Sequence, residues 1–230
     1  MTKNKACISA DIVASTSLGY NDMEELTAKL KAAIDTLAAT LNKRSKMNFY
    51  GRIVKGDSVE CFFERPKDAL RAALLLKTCV KAYLPATVSK QRRLFSAYGL
   101  RLSIGVGKMN PVTSVEGVWN GEAITRSGRK IEEQKTSGKS KVIVKRTLFF
   151  ESGDARRNLL FDSLLLLIDF VLNKATAKQC NILYHKLMRK SEAEISKSLK
   201  MSQSAVNQHS TSAGWAAIDK ALTFYEQCKF

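Results

Sequence analysis

The order of hydrophobic patterns along the first 106 residues most constrains what this chain can fold into. Short apolar runs with β-branched residues alternate with longer segments in which apolar residues recur every three or four positions. These patterns predict, in order, strand, helix, strand, strand, helix and strand, over residues 5–13, 21–42, 47–54, 59–63, 66–83 and 100–106. This order is typical of a split βαβ arrangement, so a ferredoxin-like α+β fold is expected.

Two acids fall at related places in this order. Asp11 lies near the end of the first strand, and Asp57 follows Gly56 in the short turn between the second and third strands. Right-handed crossovers place the third strand beside the first and antiparallel to it, so the end of one strand adjoins the start of the other. Both carboxylates are therefore expected at one edge of the sheet, where they could hold divalent metal. The alternative for each acid alone is an Asx turn or a helix cap.

Four sequence blocks extend this pattern: ADIVAST at 10–16, KGDSVECFF at 55–63, LRLSIGVGKM at 100–109 and WNGEAITRSGRKIEE at 119–133. In order and spacing they resemble the SatD family. More distantly they resemble the catalytic domain of class III nucleotide cyclases, whose palm-like core is shared with diguanylate cyclases and polymerases. The resemblance covers roughly the first two thirds of the chain, and it implies a nucleotide-cyclase-like domain over residues 1–155.

In class III cyclases, one acid after the first strand and one in the hairpin bind two metal ions, which activate a 3′ hydroxyl and the nucleotide phosphates. The resemblance carries this role to Asp11 and Asp57, with the backbone at Ile12 as a further ligand. It implies Mg²⁺ or Mn²⁺ as cofactor and ATP or GTP as the nucleotide. Because cyclases complete such a site across a dimer, a homodimer is expected.

The expected catalytic residues depart from the cyclase pattern. Cyclases carry an Asn and, four residues later, an Arg on a helix, where this chain has Thr125 and Arg129; a slip in alignment would make Arg126 the relevant cation. The Lys that selects the base would fall at Ile53, and Lys55 could replace it only if the strand stays regular up to the turn. The two arginines also belong to a long basic stretch, for which a solvated surface is the plainer interpretation.

Beyond residue 155 the chain loses strand-like alternation, and helical spacing remains. An all-α domain is therefore expected over residues 156–230, joined to the first domain through residues 151–154. Its segment 159–172 is very apolar, but it is too short for a membrane span and is interrupted by Asp162 and Asp169, so a packed helix is expected. Since no basic and then apolar leader opens the chain either, a soluble cytoplasmic protein without membrane contact is expected.

Residues 191–210 have the pattern of two short helices joined by a tight turn. Ser191 and Glu194 match a capping box, and either Ser202 or Ser204 can cap the second helix. The pattern resembles the helix-turn-helix of transcription regulators and of sigma-factor region four, although Lys200 stands where the turn normally has glycine. The exposed start of the second helix, which reaches base edges in the major groove of DNA, would then carry Gln203, Ser204, Asn207 and Gln208. A three-helix unit can also serve dimerisation or docking.

Charge and cysteine content narrow the choice of partner. The chain carries a net charge of +17, of which residues 161–230 contribute +3, from nine Lys and Arg against six acids. Excess positive charge favours a polyanion, either DNA or a nucleotide. The five cysteines form no CxxC pair and have no His at metal-binding spacing, which predicts reduced thiols and no zinc site.

Two functions from different classes remain. The first is a DNA-binding transcriptional regulator whose cyclase-like domain senses a nucleotide or dimerises the chain. The second is a metal-dependent nucleotidyl cyclase or transferase acting on ATP or GTP, regulated by the C-terminal helices. The helix-turn-helix, the charge and the missing Asn and Lys favour the first function, whereas the pair of acids favours the second.

Overall fold

The computed structural model describes residues 3–43, 48–86, 92–111, 118–134 and 144–230. Within these ranges the strands are β1 (Lys5–Ile12), β2 (Phe49–Lys55), β3 (Ser58–Phe63), β4 (Leu100–Gly107), β5 (Met109–Pro111), β6 (Trp119–Gly121) and β7 (Leu148–Glu151). The helices are α1 (Tyr20–Leu41), α2 (Ala69–Ala82), α3 (Arg92–Tyr98), α4 (Glu122–Glu133), α5 (Ala155–Lys174), α6 (Ala177–Leu187), α7 (Glu192–Leu199), α8 (Gln203–Ser212) and α9 (Trp215–Gln227). Met47, the predicted start of the second strand, lies outside the described residues.

Five strands form the central sheet, in the order β2-β3-β1-β4-β7. β1 is antiparallel to both β3 and β4, whereas β7 pairs with β4 in parallel. The pairing of β1 with β3, in which Asp11 lies opposite Ser58, confirms the predicted placement of the third strand. The predicted order of strands and helices from β1 to β4 is confirmed as well, and the fold is α+β.

Helices cover both faces of this sheet. The even-numbered residues of β1 pack with α1 and α2 in the main core, whereas Cys7 packs with Ala123 of α4 on the opposite face. Gly105 of β4 permits this close approach of α4, since a Cβ at Gly105 would lie 2.6 Å from the backbone nitrogen of Ser127. Burial raises the pKa of the Cys7 thiol to about 12, so that Cys7 packs as a small neutral side chain.

The main core continues from the sheet into the C-terminal helices. The same apolar cluster contains Leu70 of α2, Phe161 of α5 and Tyr225 of α9. A buried ion pair also joins the segments before and after residue 155, because Lys77 Nζ in α2 lies 3.4 Å from Asp169 Oδ1 in α5. The division into domains 1–155 and 156–230 stays a prediction, and the two segments share one core.

The apolar segment 159–172 lies within α5, and this helix has two unlike sides. One side is buried, through Phe161, Leu165, Ile168 and Leu172. The other side exposes Leu159, Leu160, Leu166, Leu167 and Phe170. Among the described residues, no helix has the length and apolar character needed to cross a membrane.

Candidate functional site

The end of β1 and the turn between β2 and β3 form one edge of the sheet, which we call the acid rim (Asp11, Ile12 and Asp57). The Ile12 N–H donates to the Asp57 carbonyl oxygen at 2.9 Å, so the two acids are neighbours along paired backbones. After β1 the chain turns at Ala14, which takes a left-handed φ of 55°. The Ser15 hydroxyl then donates to Asp57 Oδ2 at 2.8 Å. The rim therefore forms where the order of elements predicts it.

The carboxylate of Asp11 is engaged by a cation from β4. Arg101 lies directly opposite Asp11 in the ladder between β1 and β4. Its guanidinium donates from Nε to Asp11 Oδ1 at 2.9 Å and from Nη2 to Oδ2 at 2.6 Å. This is the bidentate arrangement in which Arg binds a carboxylate most strongly. Nothing in the local sequence marks Arg101 as the partner of Asp11, and the signal that could have found it is the register of the two strands.

The rim does not fit a pair of divalent ions as it stands. Both oxygens of Asp11 accept from Arg101, and those of Asp57 accept from Ser15 and Ser58. Mg²⁺ and Mn²⁺ prefer an octahedron of oxygen ligands. No group of three or more His, Cys, Asp or Glu in the described part of the chain could hold a metal ion. The metal roles of Asp11, Ile12 and Asp57 stay a prediction, which requires Asp11 to part from Arg101.

The expected catalytic residues of α4 face away from the sheet. The buried side of this helix consists of Ala123, Ser127 and Ile131. Thr125 and Arg129 are exposed on the opposite side, and Thr125 Oγ1 donates to the Gly121 carbonyl oxygen at 3.3 Å. The structure therefore does not bring these two residues to the acid rim within one chain, and their catalytic roles stay a prediction.

The two alternative cations, Arg126 and Lys55, have other surroundings. Arg126 Nη1 donates to the Val106 carbonyl oxygen at 2.6 Å, which ties α4 to β4. The ladder between β2 and β3 shifts register between Ile53 and Lys55, which places Lys55 opposite Ser58. The strand is thus irregular before the turn. The condition under which Lys55 would share the face of Ile53 is therefore not met, and the role of Lys55 as a replacement for the base-selecting Lys stays a prediction.

The helix pair expected to contact DNA consists of α7 and α8. Ser191 caps α7 in a capping box with Glu194, as predicted, and Ser202 rather than Ser204 caps α8. Between the helices Lys200 takes a left-handed conformation, with a φ of 51°. A non-glycine residue adopts this conformation at a cost of about 1 kcal/mol. Helix, turn and helix therefore follow one another at the expected residues.

A small apolar cluster joins α7 and α8 to α6, through Ile182, Ile195 and Val206, with Leu199 and Met201 packed against them. The four residues predicted to read DNA are all exposed, namely Gln203, Ser204, Asn207 and Gln208. The Asn207 amide donates to Glu192 Oε1 at 3.4 Å, and Lys186 Nζ lies 2.7 Å from the same oxygen. The hydrogen bond from Lys186 holds the pKa of Glu192 below its usual range. DNA contact by α8 stays a prediction.

No family model matches this chain, and no curated protein matches it. Solved structures with some likeness include adenylyl cyclases. A bacterial light-regulated adenylyl cyclase has 18% sequence identity and a TM-score of 0.42, over 64% of this chain and 75% of that chain. An adenylate cyclase from Trypanosoma brucei, solved in its monomeric state, has 20% identity and a TM-score of 0.38, over 56% and 68% of the two chains. These values are too low to support a conclusion about activity.

Proposed function

We propose that the predicted domain over residues 1–155 binds a nucleotide at the acid rim, and that it senses the nucleotide rather than cyclising it. The observation that carries this proposal is the backbone bond from the Ile12 N–H to the Asp57 carbonyl oxygen, because it brings together the chain segments that carry the two acids of the cyclase pattern. The resemblance to class III cyclases supplies ATP or GTP as the ligand. A net charge of +17 suits a polyanionic ligand.

Three departures favour sensing over catalysis. Asp11 is held by Arg101 in a bidentate ion pair. Thr125 lacks the amide of the Asn that it replaces, and it lies on the exposed side of α4. Ile53 stands at the position of the base-selecting Lys, and the register shifts between Ile53 and Lys55, so that the strand is irregular before the turn. The first departure affects metal binding, and the other two affect the groups with which the cyclases hold and select the nucleotide.

The test combines a binding measurement with product analysis on the full-length chain. Calorimetry with ATP and with GTP should show saturable binding. Asp57→Ala should weaken this binding at least tenfold, because the Ser15 hydroxyl loses its acceptor and the turn after β1 is no longer held at the rim. Asp35→Ala, which removes an exposed acid of α1, is the matched control and should bind like the wild type. Absence of binding to either nucleotide would refute the proposal.

The same samples decide between sensing and catalysis. After incubation with ATP or GTP and Mg²⁺ or Mn²⁺, mass spectrometry should detect no cyclic or linked nucleotide. A metal-dependent product that Asp57→Ala abolishes would establish the nucleotidyl cyclase or transferase instead. That function has one observation in its favour, which is the juxtaposition of Asp11 and Asp57.

A second function, DNA binding, is proposed for α7 and α8. The specific observation is that both helices begin at side-chain caps, Ser191 and Ser202, while α8 exposes its first polar residues. In helix-turn-helix proteins the N-terminal residues of the second helix contact base edges in the major groove, which requires that these residues be exposed. Together with nucleotide binding, DNA binding would make this protein a nucleotide-responsive transcriptional regulator.

DNA binding is tested on a fragment of the protein's own promoter. Retention should fall as salt rises, and the triple variant Gln203→Ala, Asn207→Ala and Gln208→Ala should lose sequence-specific binding. A matched control is the pair Thr223→Ala and Gln227→Ala, two exposed residues of α9. Unchanged retention of the triple variant would exclude α8 and transfer the contact to the basic residues 1–155.

The expected homodimer is retained as part of the proposal, since helix-turn-helix proteins bind paired half-sites. The exposed apolar side of α5 is a candidate contact between copies, and Leu167 is 67% exposed on it. Light scattering after gel filtration should give twice the chain mass for the wild type and the single mass for Leu167→Glu. A monomeric wild type would refute the homodimer.

A further inference from the structure

We propose that Arg101 takes the place of a metal ion at the acid rim, so that the rim itself holds no divalent cation. This inference rests on the nucleotide binding proposed above for the same rim. In the cyclase pattern the two acids bind metal, whereas in this chain Asp11 binds the Arg101 guanidinium.

The position of the Arg101 guanidinium is set by the sheet. Arg101 and Asp11 are cross-strand partners in the ladder between β1 and β4, so their side chains leave the sheet on the same face. Two nitrogens of Arg101 donate to the two oxygens of Asp11. The third, Nη1, donates to the Gln134 carbonyl oxygen just after α4. A cation held at three points in this way has little freedom to move aside.

The same contacts disfavour a divalent ion. The side chains of Arg101 and Asp11 are only 11% and 16% exposed, so water screens this pair weakly. An ion that displaced Arg101 would leave a poorly hydrated guanidinium next to a second positive charge, which is costly in a protein interior. Without Asp11, the rim offers a single carboxylate, that of Asp57, whose oxygens already accept from Ser15 and Ser58. Arg101 therefore neutralises Asp11 and excludes metal.

The charge balance of the rim follows from this pairing. Arg101 and Asp11 cancel, and Asp57 keeps one negative charge. A bound nucleotide triphosphate would still meet the charge of Asp57, which repels phosphate. Nucleotide should consequently bind more weakly in EDTA than in Mg²⁺, because the Mg²⁺ complex of the nucleotide carries less negative charge.

The experiment measures metal directly, by electron paramagnetic resonance of Mn²⁺ titrated into the full-length chain. The wild type should show no saturable site at Mn²⁺ concentrations below about 1 mM, whereas Arg101→Gln, which keeps a polar side chain but removes the charge, should bind Mn²⁺ at least tenfold more tightly. Adding Asp57→Asn to Arg101→Gln should abolish the gained site. Arg52→Gln is the matched control, because Arg52 forms the neighbouring cross-strand ion pair with Glu60 in the same sheet and its loss should create no Mn²⁺ site.

Two results would overturn the inference. One is a Mn²⁺ site in the wild type that Asp11→Asn removes, and the other is a folded Arg101→Gln protein that gains no site. If Arg101→Gln does not fold, Arg101→Lys replaces it, since a single ammonium cannot hold both oxygens of Asp11 and should allow intermediate Mn²⁺ affinity. Failure of ATP and GTP to bind in EDTA or in Mg²⁺ would refute the proposed function alone, and the gain of Mn²⁺ binding in Arg101→Gln would still stand.

Discussion

Lys77→Met should lower the free energy of unfolding by about 3–5 kcal/mol, the usual cost of removing one partner from a buried ion pair. Lys77 is 0% exposed and Asp169 is 1% exposed, so neither charge can be rehydrated when the other is lost. The Lys77 ammonium also donates to the carbonyl oxygens of Tyr98 and Leu100, at 2.9 and 3.1 Å, and to Thr147 Oγ1 at 2.6 Å.

The magnitude comes from the groups that Lys77 leaves behind. Methionine has nearly the length of the Lys stem, so little cavity forms and the packing loss is small. The carboxylate of Asp169 keeps its bonds from the Thr147 backbone and hydroxyl but loses the Lys77 ammonium as its cation partner. The two carbonyl oxygens lose a charged donor each, and hydrogen bonds to charged groups contribute about 1.5–3 kcal/mol. Desolvated charge, rather than lost volume, therefore dominates the cost.

Urea unfolding followed by circular dichroism at pH 7 measures this cost. Lys31→Met is the control, since Lys31 and Asp35 form an ion pair with 61% and 59% exposed side chains, and it should change stability by less than about 0.5 kcal/mol. The double variant Lys77→Met with Asp169→Asn should recover about 1–2 kcal/mol relative to Lys77→Met, because the buried charge is gone. A loss below about 1 kcal/mol for Lys77→Met would refute the reasoning.

The pair also has a pH signature. Burial lowers the pKa of Lys77 to about 8, from an ordinary value of 10.5, against the opposing charge of Asp169. Between these two pH values the unfolded chain binds the proton that the folded chain has lost, so the contribution of Lys77 to stability rises with pH. The difference in unfolding free energy between wild type and Lys77→Met should grow by up to about 3 kcal/mol from pH 8 to pH 10.5. A constant difference would contradict the lowered pKa.

Three further substitutions probe local geometry. Lys200→Gly should raise the melting temperature, because glycine takes a φ of 51° without the cost of about 1 kcal/mol borne by Lys, and a lower value would contradict this. Gly105→Ala should cost more than about 2 kcal/mol in urea unfolding by pushing α4 off the sheet, whereas Gly128→Ala, whose Cβ meets nothing within 4 Å, should be neutral or stabilising. Ser191→Ala should cost about 1 kcal/mol by removing the acceptor of the Glu194 N–H, and an unchanged urea midpoint would exclude the cap.

The acid rim could be predicted because it depends on local patterns and one rule of chain handedness. The strand around Asp11 and the hairpin around Asp57 are both visible as short apolar runs, and right-handed crossovers then leave one neighbour for β1 on that side. The hydrogen bond from Ile12 to Asp57 is the result. The cap at Ser191 could be predicted for the same reason, since a capping box lies within four consecutive residues.

Other parts of the fold carry no such local signal. α3 has seven residues, β7 has four, and β5 and β6 have three each, which is too short for a periodic pattern to show. β7 is a strand because it pairs with β4 and is covered by α5. The exposed direction of Thr125 and Arg129 likewise depends on which side of α4 meets the sheet.

The sequence by itself determined the order of the elements from β1 to α2, the cap of α7 at Ser191 and the adjacency of the chain segments that carry Asp11 and Asp57, because periodicity, capping and handedness act over short stretches of chain. Only the tertiary structure decided which cations Asp11 and Asp169 meet. Arg101 reaches Asp11 across 90 residues, and Lys77 faces Asp169 through the packing of α2 against the C-terminal helices. Such pairs follow from strand register and helix packing, in which every contact depends on all the segments that surround it.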